Sequence, residues 1–82
     1  ALPIMEELSD SKGRAATLNR IGNIYTALQQ YSRAREYFQR SLALAESIGD
    51  KHRQATQLNN IGDSYMQERR YDTAITYFLR AY

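Results

Sequence analysis

The fold class predicted is all-α, built from helical hairpins stacked side by side, and three observations predict it. Leu18-Asn19-Arg20-Ile21-Gly22, followed by Tyr25, returns forty residues later as Leu58-Asn59-Asn60-Ile61-Gly62, followed by Tyr65. Apolar side chains recur at spacings of three and four, the mark of helices with one buried stripe. No alternation of apolar and polar residues lasts more than a few positions, so strands are not expected. A chain that copies itself at this interval reads as a row of like units, each burying its apolar face against a neighbour.

Taken in order, residues 1–9 carry Leu2, Ile4, Met5 and Leu8, with Pro3 suited to a first helical turn. Shifted by the repeat they fall on Leu42, Leu44, Ala45 and Ile48, which predicts the tail of a preceding helix. Ser9-Asp10-Ser11 reads as a break, like its copy Gly49-Asp50-Lys51, where Gly can end one helix and Asp cap the next. Between Gly13 and Leu28 the stripe is Ala15, Leu18, Ile21, Tyr25 and Leu28. Gln29-Gln30 is a polar joint, and Ser32 stands where a helix cap would. Tyr31, Ala34, Tyr37, Phe38, Leu42, Ala45 and Ile48 then form a second stripe. So short a joint makes the two helices antiparallel neighbours.

The scheme repeats from Lys51. Ala55, Leu58, Ile61 and Tyr65 mark a third helix, and Glu68-Arg69-Arg70 a second joint. A fourth helix starts near Asp72, read as its cap, and shows Ala74, Tyr77, Phe78 and Ala81. The expected organisation is therefore one small domain: residues 1–9 as a helix tail, 10–49 as the first repeat and 50–82 as a second, shorter one.

With residues 2–42 laid on 42–82, roughly a third are identical. Ile21-Gly22 and Tyr25 are followed by Ala34 and Phe38; Ile61-Gly62 and Tyr65 are followed by Ala74 and Phe78. In this register the chain resembles the tetratricopeptide repeat twice over. It departs from the family pattern in having Leu18 and Leu58 for the leading aromatic, no closing Pro, and a period of forty rather than about 34. The longer period is similar to that of arrays in bacterial signalling proteins, kinesin light chains and polarity adaptors. The added residues look like one more turn in the second helix of each pair and a longer approach to the next. HEAT repeats share the period but lack the Gly, Tyr, Ala and Phe register. The resemblance implies hairpins stacked as part of a right-handed solenoid, with the first helix of each pair lining a concave face.

Gly22 and Gly62 fall in helix interiors, where Gly costs about 1 kcal/mol against Ala. The same cost at the same place in both copies implies close helix approach, with Ala34 and Ala74 as the small facing residues. Tyr25, Phe38, Tyr65 and Phe78 would fill the remaining space, and Gly62→Leu would overpack it.

Composition excludes several classes. There is no cysteine, hence no disulfide or thiolate metal site, which fits a reducing compartment and an expected cytoplasmic location. No apolar run approaches the ~18 residues of a membrane span. A net charge of +2 with scattered arginines does not argue for nucleic acid. Six of the seven tyrosines recur at the repeat interval, which favours packing over base stacking; the rival reading would use Arg20, Arg69 and Arg70. His52 is the only histidine and reads as a solvated surface residue. The four glycines are isolated from any phosphate-loop pattern, and Glu6-Glu7 are adjacent on a helix and do not face each other. No catalytic constellation, cofactor site or metal site is expected.

Helical geometry places Asn19, Asn23 and Thr26 on one face of the first full helix, with Ala16 and Arg20 beside them. Asn59, Asp63 and Met66 match them on the third helix, flanked by Thr56, Asn60 and Gln67. Asn both donates and accepts, so a ladder of Asn can hold the backbone of an extended peptide without demanding a sequence. In arrays of the family an Asn just before the Leu/Ile-Gly pair does this; Asn60 matches that position and Arg20 replaces it. Asn23 also matches one position of the clamp with which chaperone-binding members hold a C-terminal carboxylate, while Asn19 stands where that clamp has Lys. The expected function is a non-catalytic module that binds a peptide segment of a protein partner along Asn19, Arg20, Asn23, Asn59, Asn60 and Asp63. The alternative is a spacer or homo-oligomerising unit that associates through apolar ends, with Leu2, Ile4, Met5 and Leu8 at one end and Tyr77, Leu79 and Tyr82 at the other.

Overall fold

The computed structural model describes the backbone of residues 3–81 and the side chains of residues 10–81. Four helices follow one another, α1 (Pro3–Ala27), α2 (Tyr31–Ser47), α3 (Lys51–Gln67) and α4 (Tyr71–Arg80), and each packs mainly against the next. Among the described residues there is no strand. The result is the all-α row of hairpins that the periodicity predicts.

Three turns of one design reverse the chain. The middle residue of each is left-handed, with φ of 63° at Gln29, 68° at Gly49 and 63° at Arg69. The next amide, of Gln30, Asp50 or Arg70, donates back to the carbonyl of Tyr25, Ala45 or Tyr65, at 2.9 Å in each case. The left-handed residue itself donates to Thr26, Glu46 or Met66. This pair of bonds is the Schellman closure, which satisfies the carbonyls that a helix end leaves open. The joint within a hairpin and the joint between hairpins are thus the same. Helices of 17 residues, as α2 and α3 are, linked by these short turns make up the forty-residue period. The longer approach expected before the third helix is not loop: Ile48-Gly49-Asp50 is as short as the other turns, and the added length is helical.

Of the caps expected, Asp50 acts as one, its carboxylate accepting from the Arg53 amide at 3.1 Å. Ser32 and Asp72 do not. The turn geometry starts α2 and α4 at Tyr31 and Tyr71, so each lies one residue inside its helix, behind Gln30 and Arg70. Asp72 there complements the positive end of the helix dipole. Ser32 instead accepts from the Arg35 guanidinium at 3.3 Å.

The break expected at Ser9-Asp10-Ser11 is absent, because α1 is helical from Pro3 to Ala27. A turn there would have to be repaid by packing residues 3–8 back against α1. Fewer than two helical turns bury too little for that, whereas continuing the helix adds one hydrogen bond per residue. The expected roles of Leu2, Ile4, Met5, Leu8 and Tyr82 lie outside the described residues.

The core lies between the two hairpins, where Ala34, Phe38, Leu42, Leu58 and Ile61 cluster, with Tyr25, Tyr65, Tyr77 and Ala81 packed against them. The close approach expected at the glycines is present, but its partner is chiefly an aromatic ring. A Cβ on Gly22 would lie 2.5 Å from Cε1 of Phe38, and one on Gly62 would lie 2.8 Å from Cε1 of Phe78. Ala34 and Ala74 are buried beside them, and the Ala74 carbonyl would lie 3.2 Å from that second Cβ. Two half-buried tyrosine pairs were also legible in the repeat only as packing residues: Tyr25 stacks on Tyr37 at 5.5 Å and Tyr65 on Tyr77 at 5.6 Å. Tyr77 is therefore half-buried, not the exposed end residue expected, because Tyr65 covers its ring.

Candidate partner-binding face

Each hairpin contributes its first helix to one polar face. Ile21 and Ile61 point inward to the core side, and the helical period turns the residues between them the other way. Asn23, Asn59, Asp63 and Arg20 are exposed, while Asn19, Asn60, Thr26 and Ala16 are half-buried. Thr26 is engaged with its own helix, its hydroxyl donating to the Gly22 carbonyl at 2.9 Å.

The two helices meet through an amide pair: Nδ2 of Asn60 donates to Oδ1 of Asn19 at 2.8 Å. The residues that correspond in the repeat are Asn19 and Asn59, but those that touch are Asn19 and Asn60. Like hairpins stack head to tail, so the side of one first helix that faces its neighbour meets the opposite side of the next, and the touching positions are not equivalent in the repeat. Asn60 thus serves the contact between hairpins, and Asn59, Asn23 and Asp63 are the side chains the face leaves open. Met66, 40% exposed, adds an apolar patch at the end of the face.

A second link between the hairpins was not read from the sequence. Arg35 of α2 is buried, and its Nη1 donates to Oγ of Ser64 on α3 at 3.2 Å and to Oε1 of Glu68, the C-cap of that helix, at 2.6 Å. Its guanidinium also lies 4.2 Å from the centre of the Tyr65 ring. Pairing and hydrogen bonding are what allow a buried charge. The signal that could have found it is a break in the repeat, since Arg35, Ser64 and Glu68 correspond to Ile75, Ile24 and Leu28.

His52 is exposed. Among the described residues no cluster of His, Asp or Glu could hold a metal ion, and no helix is long and apolar enough to cross a membrane. Arg70 lies 5.2 Å from the centre of the Tyr65 ring, so it covers a tyrosine of its own chain.

Short antiparallel helices joined by identical turns, with one polar face and a core between like hairpins, define a helical-repeat protein of the solenoid class. The family model of the tetratricopeptide repeat matches residues 13–82. The chain belongs to the tetratricopeptide repeat family, whose members are in general protein–protein interaction modules. No curated protein and no solved structure matches it.

Proposed function

We propose that the chain is a non-catalytic, cytoplasmic interaction module that holds an extended peptide segment of a protein partner along the first-helix face. The observation that carries this reading is the row of open amide and carboxylate groups at Asn23, Asn59 and Asp63, held in register by the Asn19–Asn60 bond. An extended peptide offers a donor and an acceptor at every residue, and amide side chains answer both. Arg20 and Asp63 put one charge of each sign on the face, which would orient the segment.

The test is selection of peptides on the immobilised chain, followed by titration against an Asn23→Ala/Asn59→Ala variant. Both residues are exposed, so the variant keeps its fold. Selected peptides should bind the variant about tenfold more weakly or worse. Peptides that bind both forms alike would remove the face from consideration. A second reading, association of the chain with itself, is favoured by a different observation: Ile24, Leu28 and Ile75 are each more than half exposed.

A further inference from the structure

The contact between the hairpins shows what a surface of this repeat looks like when it is covered. Arg35 on α2 meets Ser64 and Tyr65 on α3 and Glu68 at its C-cap. Moved by one period, the α3 side of that contact becomes Ile24 and Tyr25 on α1 with Leu28 just after it, and the α2 side becomes Ile75 on α4. Buried Ser64, 1% exposed, is replaced by Ile24 at 55%, and Glu68 by Leu28 at 59%. Buried Arg35, 9% exposed, is replaced by Ile75 at 54%.

We propose that Ile24, Leu28 and Ile75 are the two halves of one apolar contact between copies of this chain. In it α4 of one copy lies on α1 of the next, in the register in which α2 lies on α3. The proposal rests on the self-association reading and gives it residues and a geometry.

Three observations support a second copy as the occupant. All three members of the polar tie become aliphatic together, on opposite ends of the molecule, so the ends suit each other. Their surroundings keep the pattern of the covered contact. Leu18 and Ile21 are half-buried where Leu58 and Ile61 are buried, and Phe78 is half-buried where Phe38 is 2% exposed. Finally, an ordinary hairpin of the internal kind does not fit either end. An arginine like Arg35 set against Ile24 and Leu28 would be buried without a partner, and Ile75 set against a serine and a glutamate would desolvate both.

The contact is head-to-tail, with a different face on each side, so every copy added leaves a face for another. The experiment exchanges the contact for its internal counterpart. Ile75→Arg puts the arginine of the tie on α4, and Ile24→Ser/Leu28→Glu puts its serine and glutamate on α1. Light scattering is followed from micromolar to millimolar concentration, with circular dichroism to verify that each variant is helical. The native chain should gain mass with concentration. Each variant alone should need about tenfold more protein to do so. An equimolar mixture of the two variants should assemble again, because the introduced arginine then faces the introduced serine and glutamate. A native chain that stays monomeric throughout would remove self-association altogether. A native chain that assembles, with variants that assemble equally well, would leave association through another surface and overturn this register. Failure of the mixture to assemble would overturn it too.

Discussion

Gly22 and Gly62 repeat in sequence but differ in what surrounds them. The ring over Gly22 belongs to Phe38, which is 2% exposed and held in the core, while Phe78 over Gly62 is half-buried at the end of the chain. An added methyl at residue 22 must displace a fixed ring, which costs about 1–3 kcal/mol. At residue 62 the ring can yield, and the gain in helix propensity, about 1 kcal/mol, offsets part of the strain that remains against the Ala74 carbonyl at 3.2 Å. Gly22→Ala should therefore lower the thermal midpoint clearly more than Gly62→Ala does; equal shifts would show that the two rings are equally free. Gln29 and Arg69 hold a left-handed backbone that costs an L-residue about 1 kcal/mol. Gln29→Gly or Arg69→Gly should raise the midpoint by a few degrees, the shift that follows from that energy in a domain of this size. Gly49→Ala, at φ 68°, should lower it.

At the scale of the element, α2 and α3 are joined by apolar packing and by the Arg35 tie. The pair Arg35–Glu68 has side-chain exposures of 11% and 33%, so solvent screens one partner in part. Arg35→Ala leaves the buried Ser64 hydroxyl and the Glu68 carboxylate without that donor, and should cost about 2 kcal/mol in chemical denaturation. A double-mutant cycle with Glu68→Ala should return a coupling between the two residues; additivity within error would mean that the contact contributes nothing. The α1–α2 contact is made differently, by the ring of Phe38 on Gly22 and by the Ser41 hydroxyl donating to the Ala15 carbonyl at 2.8 Å, with both residues buried. Gln57, 1% exposed, has an Oε1 with no hydrogen-bond partner among the described residues. Gln57→Met, of similar volume, should raise the denaturation midpoint by removing that buried acceptor.

At the scale of the whole molecule, a row of helices that contact only their neighbours is nearly one-dimensional, and its stability is unevenly spread. α2 and α3 are covered on both sides, whereas α4 has α3 on one side only. Amide exchange should therefore be slowest in α2 and α3 and fastest in α4, and uniform protection would contradict the one-dimensional picture. If the ends associate as proposed, protection of α4 should rise with protein concentration. Peptide binding on the first-helix face should leave that dependence unchanged.

The repeat and its spacings fixed in advance that Phe38, Leu58 and Ile61 would be buried, that two like hairpins would form, and that Asn19 and Asn59 would fall on first helices. These follow from local periodicity, which any stretch of chain carries within itself. The caps lie at Gln30 and Arg70, two residues before Ser32 and Asp72, because the left-handed turn and not the polar side chain sets where the helix begins. The break at residues 9–11 was misjudged because whether a turn forms depends on what is there to pack against it.

The amino-acid order alone determined the class of protein, the family and the identity of its buried stripes, since each rests on spacing along one helix. Which side chains meet across helices was decided only when the hairpins docked. Packing within a hairpin laid the Phe38 ring on Gly22, and packing between hairpins set Asn19 against Asn60 and brought Arg35 to Glu68, 33 residues away. Such contacts depend on the position of one rigid element relative to another, and a one-dimensional pattern does not encode that distance.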